Sequence, residues 1–142
     1  MSKNAITLIR RSGKGDIEAH RALAELAIAA GLQSTEHSEN AFLLYFEASI
    51  YSRLAASAGL MPDRARLMAV LAVCAKLAND MGSTDVAAIY SAEGIALAEL
   101  IADSNEGEAS EFAAQVIINN CGDCSPEILE MAKEYKQLWG SE

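Results

Sequence analysis

The chain is 142 residues long, enough for one domain with a real core, and half of it (51%) is hydrophobic, which excludes a disordered polypeptide. Eleven basic residues stand against twenty acidic ones, and the net charge of −9 repels phosphate backbones, so direct nucleic-acid binding is not expected and a basic partner is favoured. Runs of alternating Val, Ile and Thr are missing, and much of the apolar content is alanine and leucine, both strong helix formers, so the expected class is all-α.

Seven helical segments separated by short breaks are predicted. The first runs from Ser2 to Ser12 and stops at Gly13-Lys14-Gly15. Its end carries the one basic cluster, Arg10, Arg11 and Lys14, which could dock a phosphate or an acidic partner; the simpler reading is a solvated helix end whose cations complement the dipole. The second starts at Asp16, an N-cap residue, and ends at Gly31, with Ala19, Ala22, Leu23, Leu26, Ala27 and Ala30 on one face. The third, Ser38 to Gly59, is apolar on more than one face and holds Phe42, Tyr45, Phe46 and Tyr51, so it is expected at the centre, contacted on several sides. The fourth follows Pro62 and presents Leu67, Val70, Leu71, Cys74, Leu77, Ala78 and Met81 before Gly82. The fifth runs from Ser83 to Asp103 with Val86, Ile89, Tyr90, Leu97, Leu100 and Ile101 as its stripe. The sixth spans Glu106 to Asn120, and the seventh begins at Ser125-Pro126-Glu127 with Ile128, Met131, Ala132, Tyr135, Leu138 and Trp139 facing inward. No linker is long enough to mark a boundary, so residues 1–142 read as a single domain: a stack of antiparallel helical hairpins, either a short solenoid or a compact bundle.

Some self-similarity is visible. Leu26-Ala27-Ile28-Ala29-Ala30-Gly31-Leu32 is echoed by Leu54-Ala55-Ala56-Ser57-Ala58-Gly59-Leu60 and, more weakly, by Leu77-Ala78-Asn79-Asp80-Met81-Gly82-Ser83. Over residues 15–82 the chain resembles the tetratricopeptide-like class and, within it, the Sel1-like repeats. Gly15-Asp16-Ile17-Glu18-Ala19 with Leu23 and Leu26 looks like the start of a first repeat helix, and Arg53-Leu54-Ala55-Ala56-Ser57-Ala58-Gly59 like the end of a second. The resemblance implies a helix-pair scaffold that binds other proteins, and no catalytic residue.

The sharpest local motif is Cys121-Gly122-Asp123-Cys124, just before a helix start, where the dipole favours thiolate. This spacing serves disulfide exchange or two zinc ligands, but no strand precedes it, Asp123 opposes thiolate formation, and zinc needs about four ligands. Cys121 and Cys124 therefore stand as metal candidates of second rank beside two thiols in a tight loop, and no cofactor is expected. Cys74 reads as a small core hydrophobe. His20, beside the second stripe, and His37, in a polar loop, have no readable nucleophile or orienting partner. Glu93 falls among apolar residues and must be paired, hydrogen-bonded or neutralised. It could line a pocket or answer a cation such as Arg53 or Arg64, or lie at the stripe's edge and reach water, which is the expected place. Gly94, mid-helix, is expected to mark close helix packing.

The functional expectation is a non-enzymatic helical module that acts by contact with another protein. Its candidate surface is Phe42, Tyr45, Phe46, Tyr51 and Glu93, where a second copy of the chain, giving a homodimer, is one candidate occupant. A thiol or metal protein built on Cys121 and Cys124 is the alternative; a weaker one is an acidic mimic of nucleic acid that blocks a basic protein. No membrane span and no export signal are legible, and with three cysteines expected to be reduced the expected compartment is the cytoplasm.

Overall fold

The computed structural model describes residues 3–34, 38–58, 60–103, 111 and 126–140. Among these the chain forms six helices and no strand: α1 (Lys3–Gly13), α2 (Ile17–Gln33), α3 (Ser38–Ala56), α4 (Met61–Asp80), α5 (Thr84–Asp103) and α6 (Pro126–Gly140). The predicted segment from Glu106 to Asn120 lies, apart from Glu111, outside the described residues, as do His37 and the Cys121–Cys124 motif. The principal packing is in chain order, α1 on α2, α2 on α3, and so on to α5 on α6.

Local chemistry accounts for the breaks. At the α1–α2 turn, Gly15 has φ +85°, a left-handed conformation that side chains with a Cβ resist. Asp16 then caps α2, its carboxylate accepting from the Ala19 N–H and from the Arg11 guanidinium at 2.7 Å. Pro62 occupies the first turn of α4, where its missing N–H costs nothing. Gly82, at φ +80°, lets the chain turn back so that the Ser83 N–H reaches the Ala78 carbonyl at 2.8 Å.

The core is small-residue-rich. Ala27, Tyr45, Ala48, Val70 and Cys74 join α2, α3 and α4. Ala56, Leu67, Met68, Leu71, Leu97, Ala98 and Ile101 join α3, α4 and α5, and Ala92, Ile95 and Ala132 seat α6 on α5.

α3 packs against both α2 and α4, as expected of a helix contacted on several sides, and α5 is enclosed in the same way, Ala92 to Ala98 all being buried where α4 and α6 pack on it. Three expectations change. The α5 stripe shifts, leaving Val86 and Ile89 exposed, and Leu26 and Leu138 also face solvent. Gly31 does not end α2; it lies buried in the last turn, and a Cβ there would come within 2.8 Å of the Tyr45 ring. Gly94, by contrast, is not a tight contact, since its Cβ would meet only Leu71 Cβ at an ordinary 3.7 Å. Gly31→Ala is therefore expected to destabilise by about 1–3 kcal/mol, because the Tyr45 ring would have to shift from its packing against Ala27, Val70 and Cys74 to admit the methyl group. Gly94→Ala should stabilise by up to about 1 kcal/mol through helix propensity. Chemical denaturation of the two variants beside the parent checks both signs.

Candidate interaction site

The site is built around a buried carboxylate. Glu93, in the middle of α5, is 6% exposed, which corrects the expectation that it reaches water at the stripe's edge. Arg53, near the end of α3, donates Nη2 to Glu93 Oε1 at 2.6 Å and Nε to Oε2 at 3.4 Å. The Trp139 indole of α6 donates to the same Oε2 at 3.0 Å. Arg64, from the first turn of α4, donates to the Trp139 carbonyl at 3.0 Å and holds its guanidinium 5.6 Å from the indole centroid. One acid thus collects side chains from α3 and α6, and α4 joins through Trp139.

Burial opposes the charge on Arg53, but the hydrogen bond and opposite charge of Glu93 outweigh it and hold the guanidinium above its ordinary pKa. Tyr135 is pushed up first by burial and then by the Glu93 charge. Together Arg53, Leu54, Ser57, Glu93, Tyr135, Leu138 and Trp139 line a cleft of about 480 Å³ that opens to solvent. Its floor carries the Arg53–Glu93 ion pair, and its rim is apolar, with Leu138 71% exposed.

The cleft continues along α3. Leu43, Phe46, Ile50 and Leu54 are all exposed and recur at i, i+3, i+7 and i+11, so they form one open stripe. On α5, exposed Val86 and Ile89 share the helix face of Glu93 at seven and four residues before it. Phe42 links the two helices, stacked on Phe46 with centroids 6.4 Å apart and edge-on to Tyr90 at 6.1 Å.

Of the candidate surface residues, Phe46 lies on the open stripe and Phe42 and Tyr51 are half-buried. Tyr45 is not on that surface: at 7% exposure it faces Ala27, Val70 and Cys74, because Gly31 leaves room for its ring. Glu93 lies beneath the surface as its brace. Leu43, Ile50 and Leu54 were not singled out in the sequence, although their spacing carries the signal. Arg53 is one of the two cations the sequence offered as an answer to Glu93, and the structure pairs them. The role of Trp139 was hidden, since it depends on a contact between α6 and α5 that lies 46 residues apart in the chain.

A second buried carboxylate, Asp63 at the start of α4, follows the same scheme. Arg21 of α2 grips it with two parallel bonds, Nε to Oδ1 at 2.9 Å and Nη2 to Oδ2 at 2.8 Å. Arg66 links Asp63 to Glu25 of α2, with separations of 3.5 and 3.1 Å. His20 proves buried rather than peripheral, its Nδ1 2.7 Å from Ser12 Oγ, so the pair fastens α1 to α2. A serine beside a histidine is one part of a nucleophilic site, but no carboxylate bonded to this ring is found among the described residues. Nor do the described residues contain a group of three or more potential metal ligands.

Removing the Glu93 carboxylate strands Arg53 and the indole together. Glu93→Ala is expected to cost about 2–4 kcal/mol, while Glu93→Gln, which keeps an acceptor for the indole, costs about half as much. Thermal unfolding gives the order, and the emission of the single tryptophan, Trp139, should shift further in the alanine variant. Cys74 is fully buried and its thiol is pushed up to about 12 by burial, with only partial relief from Arg53. It is expected to resist thiol reagents at pH 8 until the protein unfolds, which site-by-site mass spectrometry reads. The raised pKa also makes the native state hold a proton the unfolded chain releases, so stability falls as pH rises from the ordinary thiol value near 9 towards 12. Cys74→Ala should flatten that loss.

No protein-family model, no curated protein and no solved structure matches this chain.

Proposed function

We propose that the protein is a non-enzymatic interaction module, a stack of helical hairpins of the tetratricopeptide-like or Sel1-like kind, that holds a partner protein along α3 and the adjoining cleft. The observation that carries this reading is the open stripe of Leu43, Phe46, Ile50 and Leu54, four large apolar side chains exposed at helical spacing on one rigid element. Packing of the helices in chain order supports an extended stack rather than a closed bundle, because the main contacts stay between neighbours. The Arg53–Glu93–Trp139 brace supports a preorganised surface, since it fixes α3 relative to α5 and α6. No helix among the described residues is long and apolar enough to cross a membrane, and a cytoplasmic partner that is neither nucleic acid nor lipid agrees with the acidic composition.

The test is recovery of partners by the tagged protein from its native host, read by mass spectrometry beside Leu43→Ser/Ile50→Ser. Both positions are exposed, so the double variant should retain its helicity. A recurrent partner held by the parent and reduced at least tenfold by the variant is expected. A partner retained equally by both would remove α3 from the site. Metal and thiol titration at Cys121 and Cys124 addresses the alternative class; tight zinc binding there would favour it.

A further inference from the structure

The helix α1 is unlike the rest of the chain. The first fifteen residues carry four of the eleven cations and no acid, so residues 16–142 carry seven cations against twenty acids. On α1, Ile6 and Ile9 are 40% and 39% exposed, and Arg10 and Lys14 are exposed beside them. Positions 6, 9, 10 and 13 share one helix face, so the two isoleucines and Arg10 point the same way, and Lys14 lies in the turn just past the end of α1. That face is turned away from α2, to which α1 is fastened through Ser12–His20 and Arg11–Asp16.

The α3 surface is its complement in both respects. From Ser38 to Ser52 there are two acids, Glu39 and Glu47, both exposed, and no base. At 100° per residue, Glu39 falls on the line of the stripe and Glu47 on its edge beside Leu43 and Leu54. α5 adds exposed Asp85 next to Val86 and has no base along its length. Arg53, the one cation at the end of α3, is drawn onto Glu93. An apolar stripe bordered by acids fits a short amphipathic helix bearing isoleucines and cations, and α1 is one.

We propose that the α3 stripe receives the α1 helix of a second copy of this chain, Ile6 and Ile9 entering between Phe46 and Ile50 while Arg10 and Lys14 meet Glu39 and Glu47. The proposal rests on the reading of α3 as a docking surface and names its occupant. Both surfaces are exposed in the same molecule, so α1 does not cover its own α3. The overall negative charge of two copies opposes their approach, but beyond about 8 Å that repulsion is screened at physiological salt, while the contact pairs act inside this distance. The same negative body disfavours an anionic membrane as the target of α1.

The experiment is sedimentation equilibrium at physiological salt over a wide concentration range. It compares the full chain with Arg10→Glu/Lys14→Glu, with Glu39→Lys/Glu47→Lys, and with the fourfold variant carrying both pairs. All four positions are exposed, and circular dichroism controls for folding. Concentration-dependent self-association is expected for the parent, weakened at least about tenfold in each double variant and restored in the fourfold one, where the charges are again opposite. A parent that stays monomeric at the highest concentration, or charge reversals without effect, would overturn the proposal. Binding of the parent to phosphatidylserine vesicles in the absence of self-association would also overturn it and assign α1 to a lipid surface. Loss of a different partner on Leu43→Ser/Ile50→Ser in a monomeric protein would leave the docking reading standing and reject only the second copy.

Discussion

A carboxylate taken out of water has to meet a cation or enough donors to replace its hydration, and in this molecule that requirement organises the stack. Glu93 is met by Arg53 and Trp139, and Asp63 by Arg21 and Arg66. In both cases the main cation comes from two helices earlier, α3 to α5 and α2 to α4. The principal packing joins neighbours in the chain, so these arginines add charged ties between alternate helices, which between α3 and α5 stand beside the Phe42–Tyr90 contact. Arginine suits the task, because its long stem crosses the gap and its planar fork engages both carboxylate oxygens. Lysine would offer one point of charge and no fixed geometry.

The same tie shapes the open surface. Arg53 and Phe42 lie on the α5 side of α3, where one is held by Glu93 and the other by Tyr90. With the cation drawn aside, the stripe from Leu43 to Leu54 has no positive charge along it, and its acidic border is left as the dominant local field. Stability and the charge of the α3 surface are thus linked at one residue. Glu93 lies beneath that surface, and by holding Arg53 it sets what α3 exposes.

Much of the helix layout was legible, and for identifiable reasons. Asp16, Pro62 and Pro126 announce helix starts because a capping oxygen and a missing N–H fit only there. Apolar spacing identifies α4 well, since its stripe is buried almost throughout from Leu67 to Ala78, and only Met81, past the helix end, is exposed. Where a helix is apolar on several faces, however, spacing cannot choose the face that packs. In α5 the alanines allow close approach and go inside, leaving Val86 and Ile89 out; in α3 Tyr45 turns inward and Phe46 outward. Asp63 was invisible as a buried acid because a carboxylate in the first turn of a helix ordinarily complements the dipole in solvent. Gly31 looked like a helix stop because the reason for it, the ring of Tyr45, lies on another element. Pairings such as Arg21–Asp63 span 42 residues, and nothing in a local pattern encodes them.

Packing in chain order has a further consequence for motion. Where each element contacts mainly its neighbours, opening does not have to be global, and amide protection should be graded along the chain. Among the described residues α1 packs chiefly on α2 and is fastened at one end by the Ser12–His20 pair and the Arg11–Asp16 bridge. Its amides should exchange through openings that leave α4 and α5 closed. The two arginine ties overlap, one joining α2 to α4 and the other α3 to α5, so openings of those four helices should be coupled to one another more than to α1.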